Sequence, residues 1–153
     1  MHLFAHVISL ISVLLSALLG QYFTNYGLTF YKKWYDCIKA SITPPAIVFP
    51  IVWTILYVII TIALARTIIT KNTNLIIVFY INLLLNILWC YAYFYLKNPL
   101  DSLIILFVIL ASIVYLIINS EQFVKYMLLP YLFWIMFAFF LNYMSISKIK
   151  LCK

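Results

Sequence analysis

The chain has 153 residues, of which 68% are hydrophobic and only 8% charged. A soluble domain cannot keep that much apolar surface from water, so the composition defines an integral membrane protein and leaves no room for a soluble catalytic domain. The formal net charge of +7 is spread over loops and the C-terminal end instead of forming one dense face, which argues against nucleic-acid binding.

A helix crossing a bilayer needs roughly 20 apolar residues. Five runs meet that need, at about 3–26, 46–69, 74–96, 100–119 and 124–147. They are continuously apolar and do not alternate as barrel strands would. The expected fold is therefore an all-α membrane protein, a five-transmembrane-helix bundle forming one domain over residues 1–153.

The first run opens Met1-His2-Leu3, without Lys or Arg, and stays apolar past residue 15, so it is read as a span and not as a secretory leader. The loop expected at 27–45 is the longest connection, with Gly27, Lys32, Lys33, Trp34, Tyr35, Asp36 and then Pro44-Pro45. Prolines there suit the first turn of the second span, where no intrahelical N–H bond is lost. Trp34 and its tyrosine neighbours also fit the aromatic belt at headgroup depth. The second span ends at Arg66–Lys71, and Asn72–Asn74 opens the third. Lys97-Asn98-Pro99 and Ser120-Glu121-Gln122 separate the last three. No internal repeat is visible, so the inverted-repeat transporter architecture has no support.

With five spans, Lys32, Lys33, Lys39, Lys97, Lys148, Lys150 and Lys153 share one side of the membrane, against Arg66, Lys71 and Lys125 on the other. The positive-inside rule then puts the C-terminus in the cytoplasm. Asp36, Asp101 and Glu121 all fall at span ends, which demotes ion-coupled transport, since that chemistry normally needs an intramembrane carboxylate or base. Cys37, Cys90 and Cys152 show no CxxC spacing, and three cysteines cannot all pair. Cys90 lies within a span and reads as a small hydrophobe.

Asn82, Asn86, Trp89 and Tyr93 recur at spacings of four, three and four, on one face of the third span. The commoner reading is interhelical glue; the sharper one is a surface that stacks and hydrogen-bonds a bulky apolar ligand. Trp53 and Tyr57 share a face of the second span. Trp134, Ala138, Leu141 and Ser145 share one of the fifth, where small Ala138 leaves room beside Trp134. His2 and His6 have metal-compatible spacing but no third ligand, so no metal is expected. No Ser-His-Asp, Cys-His, carboxylate-pair or phosphate-loop signature occurs. Leu141, Tyr143 and Lys148 fit the permissive sterol pattern.

Several segments together resemble the translocator protein family (TspO/MBR, the peripheral-type benzodiazepine receptor). They are Trp34-Tyr35, the stretch from Lys39 to Pro45, VFPIVWTILY from Val48 to Tyr57, NILWCYAYF from Asn86 to Phe94, and PYLFWIMFAFFLNY from Pro130 to Tyr143. The resemblance covers about residues 30–145. It implies a five-helix bundle, often dimeric, whose pocket opens toward the first loop. It further implies protoporphyrin IX or haem as ligands, with sterols in eukaryotic members and benzodiazepine-type compounds, and no obligatory cofactor. Carried over by motif, the pocket residues are Trp34, Tyr35, Pro45, Trp53, Tyr57, Asn86, Trp89, Trp134, Ala138 and Leu141. Lys32, Lys33 or Lys39 are candidate partners for porphyrin propionates. The chain departs from the family pattern at Ala40, Ile42, Ala46, Pro50 and Ile51, and Ile42 removes an aromatic from the lid.

Three functions compete. The first is a membrane receptor and carrier for tetrapyrroles. The second is a light-dependent porphyrin-degrading enzyme with Trp53 and Trp134 as redox-active indoles. The third is a scaffold whose Trp faces only pack helices. The Ile-, Lys- and Asn-rich composition fits an AT-rich genome, that of many bacteria or of some eukaryotic parasites, and with no recognisable targeting segment a bacterial inner membrane is expected over a mitochondrial outer membrane.

Overall fold

The computed structural model describes residues 2–152; Met1 and Lys153, one of the lysines used in the topology count, lie outside the described residues. The described residues contain no strand. The elements are α1 (His2–Phe30), α2 (Lys32–Ile38), α3 (Val48–Ile69), α4 (Thr73–Cys90), α5 (Pro99–Asn119) and α6 (Gln122–Lys148). A π-helical turn (Tyr91–Tyr95) extends α4, and a 3₁₀ turn (Ile149–Leu151) follows α6. All but α2 are long and apolar enough to cross a membrane. Even the shortest of the five, 21 residues, reaches about 31 Å at 1.5 Å per residue, enough for the hydrocarbon core.

The helices close into a ring. α1 packs on α3 and α4, α4 on α5, α5 on α6, and α6 back on α3. The centre is filled by Leu56, Ile60 and Leu64 of α3, Phe79 and Leu83 of α4, Ile109 and Ile113 of α5, and Leu128, Tyr131 and Ile135 of α6. Outside, Leu10, Leu14 and Leu18 of α1, Ile104 and Phe107 of α5, and Phe133 and Met136 of α6 are exposed, as a lipid-facing surface requires. Helix association in lipid gains little from apolar burial, so polar contacts between helices matter more. One example is the Ser16 hydroxyl of α1, which donates to the Leu83 carbonyl of α4 at 3.0 Å.

Turn chemistry sets the boundaries. The Asn72 side chain accepts the Leu75 N–H at 3.3 Å, and Asn98 accepts that of Asp101 at 3.2 Å, with Pro99 in the first turn of α5. Both are standard N-caps. Lys71 and Lys97 take left-handed φ values of 54° where the chain reverses before those caps. Pro130 is accommodated inside α6, as intramembrane prolines commonly are.

Two features of the connection at 27–45 differ from the sequence reading. α1 continues to Phe30, and residues 32–38 form a short helix of about two turns, α2. Gly27 explains the first: it lies helical against the π turn, where an added Cβ would stand 2.6 Å from the Phe94 carbonyl oxygen. The charged Lys32-Lys33 pair hides the second, because Ile38 alone carries the burial that anchors α2.

Among the described residues no Asp, Glu, Lys or Arg occupies the middle of a span. Arg66 closes α3 and pairs with Glu121 just before α6. The polar groups deeper inside are amides and hydroxyls: Asn82, Asn86, Asn142, Ser102 and Ser145 are all buried.

Candidate functional site

The π turn and α2 together build one end of the bundle. Tyr93 and Phe94, buried in the π turn, meet fully buried Ile38 of α2, with Trp34, Tyr35 and Trp89 packed around them. Trp34 lies 6.0 Å from Tyr93 and Tyr35 5.8 Å from Phe94, ring centre to ring centre. Trp89 stacks on Tyr93 at 5.9 Å with 29° between planes. A π turn inserts one residue into the helix, and such bulges are frequent at functional sites. Here Tyr93 and Phe94 turn toward α2 while Tyr91 and Tyr95 stay against Phe23 of α1.

Beneath α2 lies a cavity of about 50 Å³. It is lined by Tyr35, Lys39, Ala40 and Thr43 from α2 and the following segment, Phe49 from α3, and Trp89, Tyr93 and Phe94 from α4 and its π turn. α6 completes it with Ala138, Leu141, Asn142 and Ser145. Asn142 organises the wall. Its Oδ1 accepts the Trp89 indole N–H at 3.1 Å, and its Nδ2 donates to the Pro99 carbonyl at 2.8 Å. The Ser102 hydroxyl lies 2.9 Å from both that carbonyl and Asn142 Oδ1, so its one proton serves either. Tyr93 and Ser145 share a hydroxyl–hydroxyl bond of 2.8 Å.

Of the ten residues expected to bind ligand, Tyr35, Trp89, Ala138 and Leu141 line this cavity. Trp34 backs it through Tyr93, and Pro45 is exposed. Trp134 stands one ring behind, edge-on to Phe49 at 5.8 Å. Trp53, Tyr57 and Asn86 lie outside the lining. Trp53 packs on Tyr57 and Tyr131 at 5.3 and 6.5 Å. Asn86 Nδ2 donates to the Tyr131 hydroxyl at 2.6 Å, and that hydroxyl donates to Asn82 Oδ1 at 2.8 Å. The stripe from Asn82 to Tyr93 is therefore divided: its two amides tie α4 to α6, and its two aromatics wall the cavity. Trp134 Nε1 and Asn86 Oδ1 are buried without a hydrogen-bond partner in the protein.

Phe49, Thr43, Phe94 and Asn142 were not among the expected residues. Phe49 carried a legible signal, being four residues before Trp53 on the same helical stripe. Leu141, Tyr143 and Lys148 of the sterol pattern do not share a face. Leu141 is buried, Tyr143 is 61% exposed, and the Lys148 ammonium donates to the Lys39 carbonyl at 2.8 Å.

The rim is basic. Lys32 and Lys39 both bond Asp36, at 2.6 and 2.9 Å, and these hydrogen bonds hold its carboxyl below the ordinary value of 3.8. Burial pushes the Tyr35 phenol up, and the neighbouring Asp36 carboxylate adds to that shift. Cys37 of α2 is disulfide-bonded to Cys152, leaving Cys90 free. A second cavity of about 190 Å³ lies at the opposite end, among Thr67, Thr70, Asn72, Asn119, Ser120 and Glu121. It is larger but has no aromatic wall.

Fold and site together define a multi-pass membrane protein: a five-helix ring with a small aromatic-walled cavity under a short helix. The TspO/MBR family model matches residues 8–147. The chain is 35% identical over 132 residues to Tryptophan-rich protein TspO of Chlorobaculum tepidum, covering 76% of this chain and 82% of the relative. It is 32% identical over 151 residues to the protein of the same name from Archaeoglobus fulgidus, covering 94% and 95%. This chain belongs to the TspO/MBR family, a class of membrane proteins that bind tetrapyrroles and sterols.

Proposed function

We propose that the protein binds a tetrapyrrole such as protoporphyrin IX or haem beneath α2 and hands it between the bilayer and its cellular users. The observation that carries this reading is the wall of Tyr35, Phe49, Trp89, Tyr93 and Phe94 around one cavity with Lys39 at its edge. Aromatic faces stack a flat macrocycle, and ammonium groups pair with its propionates. Lys32 and Lys39 already share Asp36, so a propionate competes with that carboxylate for their protons. The unpartnered Trp134 Nε1 behind Phe49 offers a further donor.

The cavity is far below the roughly 300–1,000 Å³ typical of small-molecule sites, so α2 has to lift to admit the ligand. The lysine-rich end of the bundle supports a cytoplasmic mouth and C-terminus. The bacterial and archaeal relatives favour a prokaryotic cytoplasmic membrane.

The test is a titration of detergent-purified protein with protoporphyrin IX in the dark, which keeps photochemistry from imitating binding. Tryptophan fluorescence is expected to quench saturably, with a dissociation constant in the micromolar range or below. Ala138→Phe, which fills the cavity, is expected to weaken binding at least tenfold, and lipid-facing Phe133→Ala to leave it unchanged. Non-saturable quenching that is identical in all three proteins means partitioning into micelles, and the reading falls.

A further inference from the structure

The C-terminal end of the lid is held by a covalent bond. α2 is only seven residues long, and no side chain caps its start. The segment at 39–47 that follows it has turns but no regular helix. Besides its chain ends, α2 is attached through the Ile38 cluster, the Lys148 bond to the Lys39 carbonyl, and the Cys37–Cys152 disulfide. That bond joins residues 115 apart in sequence, with Cα atoms 5.9 Å from each other. A disulfide tolerates Cα separations up to about 6.8 Å. While it is closed, Cys37, at the C-terminal end of α2, can therefore move away from Cys152, just past the 3₁₀ turn after α6, by only about 1 Å, so this end of α2 can lift off the 50 Å³ cavity only by carrying the 149–152 segment with it.

The bond also sits among Lys32, Lys33, Lys39, Lys148 and Lys150, the end the charge rule assigns to the cytoplasm. Disulfides there are rarely permanent; those that form are usually catalytic or redox-sensing. Cys37 is exposed and open to soluble thiols, whereas Cys90 lies in α4, with its sulfur against α1.

We propose that Cys37 and Cys152 form a reversible redox latch on the pocket lid. The disulfide holds α2 down and traps or excludes ligand; the dithiol lets α2 rise and ligand exchange. This rests on the tetrapyrrole reading for the ligand and on the cytoplasmic assignment for the redox partner. Closure proceeds by exchange with a low-molecular-weight disulfide of the glutathione type. The Cys37 thiolate attacks one sulfur and expels a small thiolate. The Cys152 thiolate then attacks the mixed disulfide at Cys37 and expels the second. Two protein thiols lose two protons and two electrons, and one small disulfide becomes two small thiols. Reopening runs the same steps backwards.

The test uses the full chain in lipid nanodiscs across a series of reduced-to-oxidised glutathione ratios. Thiols are counted by the mass added with a maleimide-linked polymer after denaturation. Two readouts follow lid opening: release of preloaded protoporphyrin IX, and acrylamide quenching of tryptophan fluorescence, which needs no ligand. The expected result is a reversible two-thiol transition in the folded protein. Porphyrin release should be at least tenfold faster, and acrylamide access greater, in the dithiol state. Cys37→Ser and Cys152→Ser should each be fast at every glutathione ratio. The proposal is overturned if the bond resists excess dithiothreitol while the protein stays folded, or if both states exchange and quench alike. It is also overturned if alkylation of intact cells before lysis finds the pair always oxidised, even after a reductant challenge. If no porphyrin binds in any state while acrylamide access still switches, the latch stands and the tetrapyrrole reading is what fails.

Discussion

Replacing Asn142 by leucine tests whether the pocket wall is built from that one amide. Leucine has nearly the same size and shape but neither donor nor acceptor, so the indole N–H of Trp89 loses its partner, and the Pro99 carbonyl and the Ser102 hydroxyl are left with each other alone. Interhelical hydrogen bonds in membranes average about 0.6 kcal/mol each and reach about 1.7. Losing two to three therefore costs about 1–2 kcal/mol. Burial of the orphaned Trp89 donor pushes the loss toward the upper end of that range. The assay is reversible unfolding in mixed micelles with increasing dodecyl sulfate, read by tryptophan fluorescence and circular dichroism. Trp89→Phe and the double variant complete a cycle, because phenylalanine removes the indole donor while keeping an aromatic face. A coupling energy of about 0.6 kcal/mol between positions 89 and 142 is expected, since residues in contact do not add independently. If Asn142→Leu changes stability by less than 0.5 kcal/mol and the cycle closes to zero, Asn142 does not organise the wall.

Two further outcomes follow from particular contacts. Gly27→Ala drives a Cβ to within 2.6–2.9 Å of the Phe94 backbone and Cβ, whereas Gly20→Ala meets only the Cys90 sulfur at 3.3 Å. The first should cost about 1–3 kcal/mol, the usual price of overpacking, and the second much less in the same unfolding assay; equal losses contradict the close approach. The Asp36 carboxyl is depressed by Lys32 and Lys39, so its contribution to seating the lid is present above the ordinary value of 3.8 and is lost as pH falls through its lower folded value. Hydrogen exchange at α2 amides should show extra opening below pH 4, after correction for intrinsic exchange rates, and Asp36→Asn should remove that pH step; identical profiles for the two proteins refute it.

The spans were legible because hydropathy reports lipid contact directly, and the breaks at Asn72–Asn74 and Lys97-Asn98-Pro99 because polar residues and proline interrupt the apolar runs. The π turn was not, since one inserted residue leaves the run from Tyr91 to Tyr95 as apolar as before. α2 was hidden for the opposite reason: KKWYDCI is polar enough to pass for a loop, and its burial rests on Ile38. The four-residue spacing joined Asn86 to Trp89, yet sequence held no sign that Tyr131, on another helix, would claim the amide. The pairing of Cys37 with Cys152 depends on the 3₁₀ turn after α6 bringing the chain back beside α2, which no spacing rule contains.

The interior built from amides and hydroxyls has an electrical consequence. A charge carried through the full membrane potential changes energy by about 2.3 kcal/mol per 100 mV. With Arg66, Glu121, Lys125 and Lys148 at helix ends and none of their kind between, the described bundle moves no gating charge when its helices shift. If the proposed tetrapyrrole is its ligand, membrane voltage acts chiefly through that ligand: one with two ionised propionates feels the field, and a neutral one does not. Cargo charge, and not protein conformation, would set any dependence of loading on the energised state of the membrane.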